Sequence, residues 1–297
     1  MKNKKILLTG VNGQVGYALL SQLSDFNLVG LSRNDLDLSN TDEIRRVVRE
    51  IKPNIIINPA AYTAVDKAES EPDLAYAINS TAPQTLAEEA AKMGSALIHF
   101  STDYVYDGNK ETPYIETDEV NPTSIYGKSK LAGEDAIRNI AVPHLILRTS
   151  WVYGAYGKNF LKTILRLASE RDRLGIVADQ IGAPTSSLSI ASAVKELMTK
   201  WDAEKASDTG VYHFTNTGFT SWHGFACEIV KQYGLMHIQP ALKVHSDAIN
   251  ALTTADYPTP AARPENSCLD NGKLKHTFGV VLPSWQSGLK EVLQTMT

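Results

Sequence analysis

Cysteine is scarce in this chain. Only Cys227 and Cys268 occur among the 297 residues. Two isolated cysteines cannot build a disulfide framework or a four-cysteine zinc site. We therefore expect two buried, reduced thiols and no metal.

Long hydrophobic runs and a strong charge bias are also missing. The apolar run Ile6-Leu7-Leu8 near the start ends at Thr9, so it is too short for a signal-peptide core or a membrane span. The net charge of −4 supplies no general field for attracting nucleic acid or an anionic membrane. These features predict a cytoplasmic protein that binds neither, and any anionic ligand must be held by local groups.

What is present is a regular alternation of short β-rich runs and amphipathic stretches, which is typical of βαβ units and a parallel sheet. The predicted strands cover 5–9, 28–31, 54–58, 96–101, 144–148 and 211–214. The predicted helices include 41–51, 188–200 and a last one from Trp285. After Trp151 glycine and proline interrupt the pattern, so the chain is expected to leave the sheet there and to return later.

A glycine-rich turn follows the first predicted strand. Gly10, Gly13 and Gly16 precede and open a helix. Glycine permits close approach of backbone to a pyrophosphate, and the N–H groups at a helix start bind negative charge. The context predicts a dinucleotide site, and the G-x-x-G-x-x-G spacing resembles the extended short-chain dehydrogenases.

The end of the second strand lacks the carboxylate that commonly binds the 2′-hydroxyl of NAD. Ser32 and Arg33 stand there instead, and a guanidinium matches a 2′-phosphate. This favours NADPH. The alternative is a solvated surface arginine, with Asp35 or Asp37 reaching the ribose and NADH also used.

Two Tyr-x-x-x-Lys pairs could serve proton transfer. Tyr106 and Lys110 enclose a turn sequence, Asp-Gly-Asn, and would not share a helix face. Tyr126 and Lys130 follow Ser124, which can cap a helix, so they are predicted to lie together.

A ketone that accepts hydride develops alkoxide character, and a positioned phenol can supply the proton. An adjacent ammonium is expected to bring the phenol pKa down from about 10 toward working pH. The third member of the set should be a hydroxyl at a strand end, Ser101 or Thr102.

Several longer motifs make the chain similar to one family, the dTDP-4-dehydrorhamnose reductases, over almost its whole length. The motifs that carry the resemblance are 10–16, 63–69, 101–106, 126–134, 148–153, 179–185 and 257–267. The later motifs are far more specific than the glycine turn.

The resemblance implies an α/β fold with a doubly wound parallel Rossmann sheet and a smaller C-terminal substrate domain. Residues 1–150 would form the dinucleotide-binding domain, to which the chain returns around 186–220. Residues 151–185 and 221–297 would form the substrate domain.

The resemblance also implies a role for individual residues. Tyr126 would donate the proton, Lys130 would tune it, and Thr102 would be the catalytic hydroxyl. The dinucleotide would be lined by Gly10, Gly13, Gln14, Val15, Gly16, Ser32, Arg33, Asp37, Leu38, Ala60, Ala61, Tyr62, Tyr126 and Lys130. The substrate would be contacted by Thr102, Asp103 and Trp151, with Asn159, Arg263 and Asn266 as weaker candidates at its nucleotide end.

The implied reaction is NADPH-dependent reduction of the 4-keto group of dTDP-4-dehydro-L-rhamnose. Other readings stay open: another sugar-nucleotide reductase, an epimerase that recycles tightly held NAD, or a non-catalytic regulatory subunit like the relative that partners methionine adenosyltransferase.

Some relatives form dimers bridged by Mg²⁺ between acidic side chains. Ala18 and Leu188 stand at the corresponding places here, and neither offers the oxygen ligands that Mg²⁺ requires. We expect a monomer, or a homodimer that needs no magnesium.

Overall fold

A computed structural model describes residues 4–203, 205–239 and 241–296. Residues 1–3, 204, 240 and 297 of the expected domains therefore lie outside the described residues. The strands are β1 (Lys5–Thr9), β2 (Asn27–Leu31), β3 (Ile55–Asn58), β4 (Ala96–Thr102), β5 (His144–Thr149), β6 (Val152–Tyr153), β7 (Leu174–Val177), β8 (Ile181–Gly182), β9 (Thr185–Ser186), β10 (Gly210–His213), β11 (Thr220–Ser221), β12 (Ile249–Leu252) and β13 (Asn266–Ser267). The helices are α1 (Gln14–Gln22), α2 (Thr41–Ile51), α3 (Val65–Ala68), α4 (Pro72–Tyr76), α5 (Ala82–Met93), α6 (Ile125–Arg138), α7 (Phe160–Glu170), α8 (Ser187–Lys200), α9 (Trp222–Leu235), α10 (Gly272–Phe278) and α11 (Trp285–Gln294).

The central sheet has six strands in the order β2-β1-β3-β4-β5-β10, and every neighbouring pair is parallel. The order reverses between β1 and β3, where ligands bind in doubly wound folds, beyond the carboxyl ends of the strands. The predicted doubly wound α/β fold is confirmed. The predicted strand at 211–214 is β10, one residue earlier.

Both faces of the inner strands are buried, which explains the apolar runs in β1 and β3. Ile6 and Leu8 point to one face and pack with α1 and α8. Leu7 points to the other face, where α2 and α5 pack on each other. Alternation along the strand thus fixes two helix layers around one sheet.

A second apolar cluster joins α7, α9 and α11. Short strands connect this part of the chain to the C-terminal segment: β8 pairs with β11 and β13. Ser267 pairs with Gly182 and is hydrogen-bonded to Asp103, which follows β4, so the C-terminal segment reaches the carboxyl edge of the central sheet.

The described residues hold no helix long and apolar enough to cross a membrane. Within the same residues, no group of three or more His, Cys, Asp or Glu side chains is placed to hold a metal ion. Both cysteines are free thiols, but only Cys268 is buried, since Cys227 is partly exposed on α9.

Candidate active site

The glycine turn connects β1 to α1 in a tight loop. Gly10 has a φ of +62°, a conformation that favours glycine. A Cβ on Gly16 would lie 2.1 Å from the Gly10 carbonyl oxygen, so only glycine permits this closeness. Gly13 precedes the helix and no side chain caps it. The first N–H groups of α1 are thus left for an anion.

The turn after β2 holds Asp35, one of the two carboxylates that follow Ser32 and Arg33 in the sequence. Asp35 accepts hydrogen bonds from the backbone N–H of Ser32 at 2.9 Å and from its hydroxyl at 2.6 Å. These bonds hold the pKa of Asp35 below its usual value. Hydrogen bonds from Ser39 likewise lower the pKa of Asp37, with a smaller contribution from Arg33. A cation and two carboxylates therefore share this corner.

The loop after β3 meets the glycine turn, because a Cβ on Gly10 would lie 2.8 Å from that of Ala60. The backbone of Tyr62 is fixed by the side chain of Asn79, which accepts from its N–H at 2.8 Å and donates to its carbonyl at 3.1 Å. Asn79 lies in a π-helical turn, Ala77–Thr81, and also donates to Ser129 on α6 at 3.0 Å. Such turns are frequent at functional sites.

Thr102 and Tyr126 meet at the carboxyl end of β4. The Thr102 hydroxyl donates to Asp103 at 2.9 Å, and a hydrogen bond also links it to Tyr126. Burial raises the pKa of Tyr126 to about 12, and the hydrogen bond with Thr102 opposes this. The expectation that the lysine brings this pKa down toward neutrality is wrong, because burial dominates. Tyr126 therefore keeps its proton at neutral pH.

Lys130 lies one turn after Tyr126 on α6 and is almost fully buried. Its ammonium group donates to the carbonyl of Phe100 at 2.6 Å, and Nζ lies 3.2 Å from Nε2 of His99. Burial lowers the pKa of Lys130 to about 8, and Glu134 opposes this.

The competing pair is held apart. The Tyr106 hydroxyl accepts from Arg148 at 2.7 Å inside the core, while Lys110 pairs with Asp118 at 2.5 Å. Arg148 forms a second, bidentate pair with Glu134. Tyr106 is thus part of a buried structural network.

Asp103 is buried beside Thr102. Burial raises the pKa of Asp103 to about 6, opposed by hydrogen bonds from Ser267 and Thr102. Among the described residues, its Oδ2 atom has no hydrogen-bond partner. An unpaired buried carboxylate oxygen is costly unless a ligand meets it.

Trp151 follows β5 with a φ of +47°, a strained conformation for a bulky side chain. Its indole stacks on that of Trp222, with centroids 3.6 Å apart. On Gly182, which pairs with Ser267, a Cβ would lie 2.6 Å from the Trp151 ring. Trp151 is therefore linked to Asp103 indirectly: it packs on Gly182, Gly182 pairs with Ser267, and Ser267 is hydrogen-bonded to Asp103.

Arg263 reaches the same edge from the C-terminal segment. Its Nη2 pairs with Asp66 at 2.8 Å, and its guanidinium lies 5.9 Å from the ring centre of Tyr104. The ring of Tyr104 makes an edge contact with Tyr126 at 5.4 Å. Nη1 of Arg263 is buried without a partner among the described residues.

Two weaker candidates already have protein partners. Asn266 donates to the carbonyl of Lys110 at 2.5 Å. Asn159 caps α7, and its Nδ2 donates to Gln14 at 2.9 Å. Asn159 thus joins the start of α1 to the second apolar cluster.

Sequence reasoning missed His99, Asn79 and Trp222. Each stands in an otherwise ordinary strand or helix pattern, so spacing carried no signal. A polar residue in a continuously apolar strand, as His99 is, was the one sign available.

Comparisons with known proteins agree with this geometry. The family described as "RmlD substrate binding domain" matches residues 4–297. A dTDP-4-dehydrorhamnose reductase of Burkholderia thailandensis is 46% identical, over 95% of this chain and 95% of that protein. The solved dTDP-4-dehydrorhamnose reductase of Clostridium acetobutylicum is 39% identical, covers 98% of this chain and 99% of its own, and superposes with a TM-score of 0.90. The Bacillus anthracis enzyme, solved in complex with NADP, is 36% identical, covers 99% of both chains and has a TM-score of 0.89. On the strength of this sequence and fold similarity, the chain belongs to the dTDP-4-dehydrorhamnose reductase family.

Proposed function

We propose that this chain reduces the 4-keto group of dTDP-4-dehydro-L-rhamnose to give dTDP-L-rhamnose, with NADPH as the reductant. One observation carries the proposal: Thr102 ends β4 at the carboxyl edge of a doubly wound sheet and is hydrogen-bonded to Tyr126, and the buried Lys130 follows Tyr126 by one turn of α6. Family membership supplies the sugar-nucleotide class.

The dinucleotide supplies hydride, and the chain positions the reactants and moves the proton. The glycine turn suits a pyrophosphate, since its backbone has no Cβ to bar approach and the N–H groups of α1 are uncapped. Gln14, Val15, Leu38, Ala60, Ala61 and Tyr62 are proposed to contact the dinucleotide.

Tyr126 is the proposed proton donor. A hydroxyl that keeps its proton at neutral pH can give it to the C4 oxygen as charge develops there. Thr102 is hydrogen-bonded to Tyr126 and is proposed to orient both that phenol and the carbonyl. Lys130 follows Tyr126 by one turn of α6, and burial lowers its pKa to about 8.

The sugar is proposed to lie against Asp103 and Trp151. The unpaired Oδ2 of Asp103 can accept from a sugar hydroxyl. The unpaired Nη1 of Arg263 supports a contact to the nucleotide end of the substrate. Asn159 and Asn266 are retained as weaker contacts, because their side chains have protein partners.

We further propose that residues 1–150 and 186–220 bind the dinucleotide, while 151–185 and 221–297 close over the sugar nucleotide. The protein would act in the cytoplasm as a monomer or homodimer in cell-surface polysaccharide synthesis, with no nucleic-acid or membrane partner.

The test is a spectrophotometric assay of NADPH oxidation on addition of dTDP-4-dehydro-L-rhamnose. Stoichiometric oxidation supports the reductase. Interconversion of sugar nucleotides without net oxidation would indicate an epimerase. NADPH binding with no turnover on several 4-keto sugar nucleotides would indicate a regulatory subunit.

A further inference from the structure

A continuous network of buried hydrogen bonds extends from Lys130 across the central sheet through His99, Asn58 and Thr9. His99 Nε2 lies 3.2 Å from Lys130 Nζ, and its Nδ1 lies 3.1 Å from Nδ2 of Asn58. The side-chain oxygen of Asn58, Oδ1, accepts from the Thr9 hydroxyl at 2.7 Å. The hydrogen-bond network crosses β4, β3 and β1, and the register of β3 and β4 sets Asn58 opposite His99. The network ends at Thr9, one residue before the glycine turn.

The direction of these bonds fixes the proton of the imidazole. The Thr9 hydroxyl donates to Oδ1 of Asn58, so the amide nitrogen faces His99 and donates to Nδ1. Burial lowers the pKa of His99 far below its ordinary value, so the ring is neutral. A neutral ring that accepts at Nδ1 carries its proton on Nε2. An N–H therefore points at Lys130.

Lys130 can meet that N–H in only one protonation state. An ammonium group has donors and no lone pair, whereas the amine can accept. The carbonyl of Phe100 takes a donor from Nζ in either state. Glu134 favours the ammonium, but its carboxylate is already paired with Arg148 at 2.9 and 2.5 Å.

The other titratable groups near Lys130 are either uncharged or have no resolved effect on its pKa. Tyr126 holds its proton, and Asp103 acts on Tyr126 without a resolved effect on Lys130. The balance between the ammonium and the amine form of Lys130 is therefore set by burial, by Glu134 and by the hydrogen-bond network.

We infer that His99 is a positioning residue: oriented by Asn58 and Thr9, it presents an N–H to Lys130 and weakens the hold of Lys130 on its proton. Lys130 can then return a proton to Tyr126 after each reduction. This inference rests on the proposed function.

The proton balance is simple. Tyr126 gives its hydroxyl proton to the C4 oxygen as hydride reaches C4, and becomes a phenolate. The Lys130 ammonium, one turn further along α6, is the source of the proton that restores the phenol, and it becomes the amine that the His99 N–H favours. The amine regains a proton from water when the product leaves. The transfer is favourable, because burial lowers the pKa of Lys130 and raises the pKa of Tyr126.

The test is the pH dependence of kcat, because Lys130 acts after the hydride has been transferred. The alkaline limb of kcat reports loss of the Lys130 proton in the enzyme complex. Methionine at position 99 neither donates nor accepts strongly, so His99→Met should move this limb upward by roughly one pH unit. His99→Gln can present an amide N–H and should keep the limb near that of the wild type. His144→Met replaces another buried histidine, on β5, whose Nδ1 lies 2.9 Å from the carbonyl oxygen of Val142, and should leave the limb in place.

An active His99→Met enzyme whose limb stays put, or moves to lower pH, would overturn the inference. So would a glutamine variant that shifts as far as methionine. Should His99→Met fail to fold, Thr9→Val is the replacement test. It frees the Asn58 amide to turn and should move the limb upward by a smaller amount. An unmoved limb would equally overturn the role of the hydrogen-bond network. Failure of the proposed function is distinct, since the wild type itself would then show no reduction.

Discussion

The hydroxyl of Tyr126 is the atom on which the proposed reduction depends most. Tyr126→Phe removes the donated proton and leaves the ring, so fold and NADPH binding should persist while kcat falls roughly 100- to 10,000-fold. Steady-state kinetics and NADPH fluorescence titration measure the two effects separately.

Tyr106→Phe is the matched variant from the competing pair. It removes the acceptor of a buried Arg148 N–H and should cost about 1–3 kcal/mol of unfolding free energy, yet keep turnover. Near-normal turnover in Tyr126→Phe together with an inactive, folded Tyr106→Phe would contradict this assignment and show that Tyr106 is the proton donor.

The choice of cofactor is decided by the side chains that follow β2. Arg33→Ala should lower kcat/KM for NADPH roughly tenfold, because a charge-assisted hydrogen bond to the 2′-phosphate is worth about 1.5 kcal/mol. NADH never uses that contact, so its kcat/KM should hardly change. Asp35 lies against Ser32, so NADH should also be a substrate, and the preference should be modest.

Asp35→Asn is the companion variant for this corner, since it removes the carboxylate that repels a 2′-phosphate. It should increase the preference for NADPH. If the ratio of kcat/KM values is the same in wild type and Arg33→Ala, Arg33 is a solvated surface residue.

Among the elements, α1 depends on a single close approach. Gly16→Ala would drive a Cβ to 2.1 Å from the Gly10 carbonyl oxygen, and neither backbone can yield easily. The variant should lose about 1–3 kcal/mol of stability and bind NADPH more weakly, because the N–H groups of α1 would shift. Thermal unfolding and NADPH titration measure both.

Gly234→Ala is the control for the same substitution. It lies in α9 with no atom within 4 Å of a Cβ, so it should gain about 0.5–1 kcal/mol through reduced freedom of the unfolded chain. Unchanged NADPH affinity in Gly16→Ala would contradict the role given to the glycine turn.

Elements with a strong local pattern could be predicted from the sequence. The helix predicted at 41–51 is α2, where Asn40 caps the N–H groups of Asp42 and Glu43. The strand predicted at 96–101 continues through Thr102, because the chain stays extended until Asp103 starts a short helix.

Features that depend on register or on distant segments could not be predicted. Asn58 meets His99 only because β3 and β4 pair in one register. Trp222 meets Trp151 only because α9 packs beside β5's exit. The burial of Tyr126 comes from the folded surroundings, which is why its pKa moves opposite to the expectation from its neighbouring lysine.

At the scale of the whole molecule, the oligomeric state should not depend on magnesium. Ala18 is buried on α1 and Leu188 partly buried on α8, and these two helices pack on each other. Neither side chain can ligate Mg²⁺. Light scattering should give the same mass with and without a chelator, whereas a dimer dissolved by the chelator would contradict this.

The central claim is that hydride from NADPH reaches C4 of a 4-keto sugar nucleotide while the chain supplies the proton. The most direct measurement uses NADPH deuterated at the transferred position of the nicotinamide, with dTDP-4-dehydro-L-rhamnose as substrate and NMR of the product. The account predicts dTDP-L-rhamnose with one deuterium at C4 and hydrogen from water on the O4 hydroxyl. Product with hydrogen at C4, or deuterium retained on the cofactor after complete conversion, would contradict it.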